Sequence, residues 1–141
     1  MRLVGGIVSL MAGALFYLLF RPKTLLGFLL LDRIGAGPWA DRMRSLAYAV
    51  SLPDAVVYSL PGGLWSLGYI LAIDAVFVRR PLPTRMAWTS VIPLLGIGSE
   101  LFQGVGILPG SFDPLDLFCY AFPYVIYLLL ICKSSPIRRL S

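Results

Sequence analysis

Histidine is missing from all 141 residues, and only seven residues are acidic. Without imidazole there is no Ser-His or Cys-His nucleophile pair, and no ordinary zinc or haem ligand set. Cysteine is almost absent as well. Cys119 and Cys132 lie thirteen residues apart in a single apolar run. On one helix that spacing is roughly 20 Å of rise, beyond disulfide reach, so both read as buried apolar thiols. Charge of either sign is scarce: Asp, Glu, Lys and Arg make up 13% of the chain against 58% hydrophobic residues, and the mean hydropathy is +0.83. A chain of this length folded in water cannot hide so much apolar surface, so the class is an integral membrane protein. The net charge of +5 comes from Lys and Arg scattered over loop positions. That pattern suits membrane topology and anionic headgroups, and excludes nucleic acid as a partner.

Four apolar runs are present, at about residues 3–20, 55–78, 86–105 and 115–132. Each approaches the roughly 20 residues that a span requires. The first ends in LLFRPK, bulky and charged rather than small, so it reads as an uncleaved span and not a signal peptide. Residues 24–52 form one long connection. Gly35, Gly37 and Pro38 break it, after which Trp39, Met43, Leu46, Ala47 and Val50 share a helical face. The predicted fold is therefore all-α: a single transmembrane domain over 1–141, an integral membrane four-helix bundle with an interfacial or re-entrant helical segment between spans one and two.

Four spans place both termini and the 79–85 loop on one side. That side carries Arg2, Arg79, Arg80, Arg85, Lys133, Arg138 and Arg139; the other carries Arg21, Lys23, Arg33, Arg42 and Arg44. The positive-inside rule then puts both termini in the cytoplasm. The acidic residues Asp54, Glu100, Asp113 and Asp116 come out on the opposite, outward side, together with Tyr58 and Gln103.

Several of these acids have structural readings. In Asp113-Pro114-Leu115-Asp116, Asp113 is a helix N-cap, Pro114 the first helical residue and Asp116 a carboxylate suited to the helix dipole. Ser51-Leu52-Pro53-Asp54 resembles a capping box. Asp74 is expected to meet interfacial water or an arginine such as Arg79. Glu100 has no capping role, and an ionisable group in a span is costly unless paired or wet, so it is the leading functional candidate. Gln103 shares its helical face. Asp116, Tyr120 and Tyr127 line one face of the last span. Pro61-Gly62-Gly63 either kinks the second span around a polar cavity or permits close packing.

The stretch from Glu100 to Asp116 resembles the VanZ-like membrane protein family. The family signature is an acid and a glutamine one turn apart, a Pro/Gly loop, and two aspartates opening the last helix. Here those are Glu100, Gln103, Pro109-Gly110, Asp113 and Asp116, within a match covering about residues 86–130. The loop lacks the arginine many members have before the first aspartate, and Tyr120 and Pro123 stand where many have Asn and Gly, which marks a divergent branch. The resemblance implies a bacterial envelope protein of the inner membrane, some relatives being linked to glycopeptide resistance, with no settled catalytic mechanism.

Two functions fit the residues. In the first, the outward cluster binds a lipid or lipid-linked envelope precursor: Glu100, Gln103, Asp113, Asp116, Tyr58 and Tyr120 form the polar site, and Arg33, Arg42 and Arg44 hold a phosphate. Two carboxylates suffice for acid-base chemistry, but no nucleophile stands out, so the residues leave open whether the protein is an enzyme. Three carboxylates and Gln103 suit a hard cation, yet the expectation is no metal and no cofactor. In the second, the chain is a non-enzymatic subunit packing against copies of itself or partner membrane proteins, with Gly5, Gly6 and Gly13 as the contact face.

Overall fold

The computed structural model describes residues 1–21, 26–47 and 50–134. Lys23, Thr24, Arg138, Arg139 and the side chains of Cys132 and Lys133, which entered the reading above, lie outside the described residues. Among those described there are seven helices and no strand: α1 (Arg2–Phe20), α2 (Leu26–Arg33), α3 (Gly37–Ala47), α4 (Asp54–Val76), α5 (Leu82–Thr89), α6 (Val91–Gly104) and α7 (Pro114–Ser134). Three of them, α1, α4 and α7, are long and apolar enough to cross a membrane.

The run expected as a single span over 86–105 is divided at Ser90 into α5 and the 14-residue α6. The cause is Pro93. It has no N–H to offer the Thr89 carbonyl, so one rung of the ladder is lost. Ser90 keeps near-helical angles, φ −79° and ψ −17°, so the axis bends without reversing. At about 1.5 Å per residue, α6 alone covers roughly 21 Å, and α5 with α6 end to end roughly 34 Å.

Helix α4 is central, packed by α1 on one side and α7 on the other, with α6 against α7. Small residues set the approach of α1. An added Cβ at Gly6 would lie 2.8 Å from the Ala72 backbone nitrogen and 2.9 Å from the Gly68 carbonyl oxygen. Gly13 is equally closed by the Trp65 indole. Between them, Ser9 Oγ donates to the Leu64 carbonyl at 2.8 Å. Rising numbers on α1 meet falling numbers on α4, so the pair is antiparallel. The glycine face expected to bind other subunits is thus used inside the chain. Gly62 meets Tyr120 and, further along, Asp74 meets Tyr127, so numbers rise together on both helices and α4 and α7 run parallel.

The interior mixes polar with apolar side chains, and the exterior is largely apolar. Buried residues include Ser9, Ser59, Ser66, Asp74, Thr89 and Glu100, while Phe118, Phe122, Val125, Ile126 and Leu129 of α7 are uncovered. Where lipid covers the outside there is no gain from hiding apolar groups, and packing with internal hydrogen bonds holds the helices instead.

Between α1 and α4, α2 and α3 form a short helical pair. The bonds Gly35 N→Asp32 O and Ala36 N→Leu31 O, with φ +74° at Gly35, close α2 in a Schellman motif. The face that α3 buries is Gly37 and Ala40. Trp39 and Leu46, on the apolar face expected to meet the interface, are 56% and 73% exposed, and Trp39 also lines an apolar cavity against α1. The small residues turn inward because α1 lies close.

Candidate functional site

Polar side chains gather at the two ends of the bundle. At the first end, Asp74 near the close of α4 is only 2% exposed. Its Oδ2 accepts from Arg2 Nη1 at 2.6 Å, and its Oδ1 accepts from Arg85 Nε at 3.0 Å, Arg85 Nη2 and the Tyr127 hydroxyl at 2.8 Å. One carboxylate therefore ties α1, α4, α7 and the arginine of α5. The expected partner, Arg79, is not among these contacts. The sequence signal was available: Asp74 is the sole acid in a long apolar run, the same argument that singled out Glu100.

At the other end the helix starts and stops are built first. The bonds Gly106 N→Gln103 O and Ile107 N→Phe102 O, with φ +74° at Gly106, end α6 in a second Schellman motif. The loop returns through Gly110, φ +133°, where an added Cβ would lie 2.9 Å from the Gln103 side chain. Gln103 is thus a lid on the loop. Asp113 caps α7 as expected, its Oδ1 accepting from the Leu115 N–H at 2.8 Å. The Asp113 N–H in turn donates to Glu100 Oε2 at 3.2 Å.

This last bond changes the reading of Glu100. It is 5% exposed and supplies from α6 what the glutamate of a capping box supplies locally, an acceptor for the N-cap amide. The partner is a backbone group, so side-chain spacing could not reveal it. Glu100 does have a structural task. It stands behind Asp113, and the cavity at this end is lined by other residues.

That cavity has a volume of about 440 Å³ and is lined by Arg21, Asp54, Ala55, Tyr58, Ser111, Asp113 and Asp116. It joins the C-terminus of α1 to the N-termini of α4 and α7. Among the predicted residues, Tyr58, Asp113 and Asp116 line it. Tyr120 lies just below, its ring over Gly96 and Gly62. The capping box expected at Ser51–Asp54 does not form: Pro53 is the N-cap and makes no side-chain capping bond, because proline at that place and a serine two residues earlier leave no hydroxyl in range. Asp54 is instead exposed and faces the cavity.

The arginines divide differently from expectation. Arg44 Nη1 donates to the carbonyls of Leu18 and Arg21, both at 2.7 Å, and so neutralises the end of α1. Arg33 and Arg42 are exposed and do not line the cavity. Arg21, which the sequence reading used only as a topology marker, supplies the cavity's guanidinium. It lies 4.5 Å from the Tyr58 ring centroid and donates Nη2 to the Tyr58 carbonyl at 2.9 Å. Its Nε and the Oδ1 of Asp116 are shielded and have no hydrogen-bond partner. Ser59 Oγ, 4% exposed, is likewise unpartnered.

Among the described residues, no group of three or more His, Cys, Asp or Glu side chains is placed to hold a metal ion. Comparison of the chain with protein-family models, with curated proteins and with solved structures finds no match.

Proposed function

We propose that this chain is a multi-pass protein of the bacterial inner membrane that binds the headgroup of a lipid or lipid-linked envelope ligand in the outward cavity. The observation that carries the reading is the convergence of Arg21, Asp54, Tyr58, Asp113 and Asp116 on one cavity, where Arg21 Nε and Asp116 Oδ1 are left without partners. Buried polar groups without partners are costly, so this end of the bundle carries more charged groups than its own fold satisfies. In this reading α5 and α6 cross the bilayer together as a fourth span, which gives an up-down-up-down bundle with both termini cytoplasmic. The VanZ-like resemblance over residues 86–130 belongs to the same proposal. Arg21 gives Asp113 and Asp116 a neighbouring guanidinium, the residue type their own loop lacks. The assembly reading loses its main support, because Gly6 and Gly13 already pack on α4.

The test is native mass spectrometry of protein released from nanodiscs, beside Asp116→Asn. A lipid or lipid-linked sugar retained by the wild type and lost from the variant is the expected result. Equal retention in both, or no retention in either, refutes the reading. Asp116 replaces Glu100 as the residue to change, because Glu100 supports the fold.

A further inference from the structure

A second cavity lies along α1 on the approach to the first. Its volume is about 510 Å³, and it is lined by apolar side chains of α1, α2 and α3 together with Tyr17 and Trp65. Along α1 it runs from Met11 to Leu18, one helical turn short of Arg21. Arg21 stands between the two spaces. This guanidinium lines the polar cavity and also stands over the Tyr17 ring, 5.9 Å from its centroid, and Tyr17 lines the apolar one. Arg44, over the Phe28 ring at 5.1 Å and bonded to the Leu18 carbonyl, lies beside the same end of the apolar cavity.

Charge decides what the polar cavity accepts. Arg21 counts +1 and Asp54, Asp113 and Asp116 count −3, a formal total of −2. A simple anion is repelled, and a ligand needs a cation to enter. Passing outward, the protein presents an apolar slot, then a guanidinium, then carboxylates. An amine-bearing phospholipid presents the complementary order: chain, phosphate, ammonium. Resting on the proposed site, we infer that the ligand is an aminophospholipid. One acyl chain lies in the slot between α1, α2 and α3, the phosphate meets Arg21, and the ammonium sits among Asp54, Asp113 and Asp116. A guanidinium presents paired donors to phosphate, and a slot of this volume falls in the range of about 300–1,000 Å³ usual for small-molecule sites. The α2–α3 pair is then the outer wall of a binding slot.

The experiment uses the full chain in phosphatidylglycerol nanodiscs, doped with a phosphatidylethanolamine probe carrying a photoactivatable diazirine at mid-chain. Labelled residues are mapped by mass spectrometry, with a phosphatidylglycerol probe of the same chain as control. The expected result is labelling concentrated on Met11, Leu15, Leu18 and Phe28, about tenfold above the anionic probe, equivalent to about 1.4 kcal/mol. In Asp116→Asn the ethanolamine preference should disappear. Equal labelling by the two probes overturns the inference. So does labelling dispersed over Phe122, Val125 and Leu129. If Asp116→Asn nevertheless loses a co-purified ligand, the site reading stands and only its lipid identity falls; if no ligand is lost either, both fall.

Discussion

Replacing Asp74 with alanine should destabilise the protein more than any other loss of a single charge. The side chain of Arg85 is 14% exposed and that of Arg2 54%. The two ion pairs are therefore unequal. Breaking a buried pair by removing one partner costs about 3–5 kcal/mol, because the remaining charge stays buried. The exposed pair to Arg2 is worth under about 1 kcal/mol. Asp74→Ala strands Arg85 and the Tyr127 hydroxyl together, so the expected loss is about 3–5 kcal/mol, or roughly two to four powers of ten in the unfolding constant. Arg2→Ala should cost under about 1 kcal/mol. The triple change Asp74→Leu, Arg85→Met, Tyr127→Phe removes every buried polar member at once and should recover to within about 1 kcal/mol of the wild type, since apolar replacement of a whole buried pair is often neutral. Reversible unfolding in dodecylmaltoside micelles titrated with dodecyl sulfate, followed by circular dichroism, measures all three. If Asp74→Ala loses no more than Arg2→Ala, the network is not buried as described and the reasoning fails.

Two further outcomes follow from backbone contacts. Gly6→Ala should cost about 1–3 kcal/mol by overpacking against Gly68 and Ala72, whereas at the adjacent Gly5, where the nearest atom is Leu71 Cδ1 at 3.6 Å, the same change should gain about 0.5–1 kcal/mol of helix propensity; the same micelle titration separates them. Glu100→Ala should cost about 1–3 kcal/mol and accelerate hydrogen exchange at the Asp113 amide, with Glu100→Gln intermediate because it keeps an acceptor oxygen; unchanged Asp113 exchange in the alanine variant would show that the bond carries nothing.

Much of the framework was legible because hydropathy and length act on single helices. The runs at 3–20, 55–78 and 115–132 correspond to Arg2–Phe20, Asp54–Val76 and Pro114–Ser134, within about two residues at each end. The division at Ser90 was not foreseen, although Pro93 carried its cause, because proline within an apolar run also fits an unbroken span, as Pro61 does in α4. Convergence of Tyr58, Asp113 and Asp116 was readable from spacing and topology. The roles of Arg21 and Arg44 were not, nor which arginines meet Asp74, since each depends on which helices touch. The glycines of α1 show the same limit: their spacing announces a close contact but cannot say whether the partner is another chain or, as here, α4.

The Asp74 network also has an order in time. A ribosome makes Arg2 72 residues before Asp74, Arg85 11 residues after it and Tyr127 53 residues after it. When α4 enters the membrane, Arg85 is still held in the ribosome and its exit path, Tyr127 follows later still, and of the three partners Arg2 alone is on hand. The weakest contact of the finished protein is thus the first one the nascent carboxylate can make. Its contribution belongs to insertion of the growing chain, where a few residues' delay decides whether a charge enters lipid accompanied or alone.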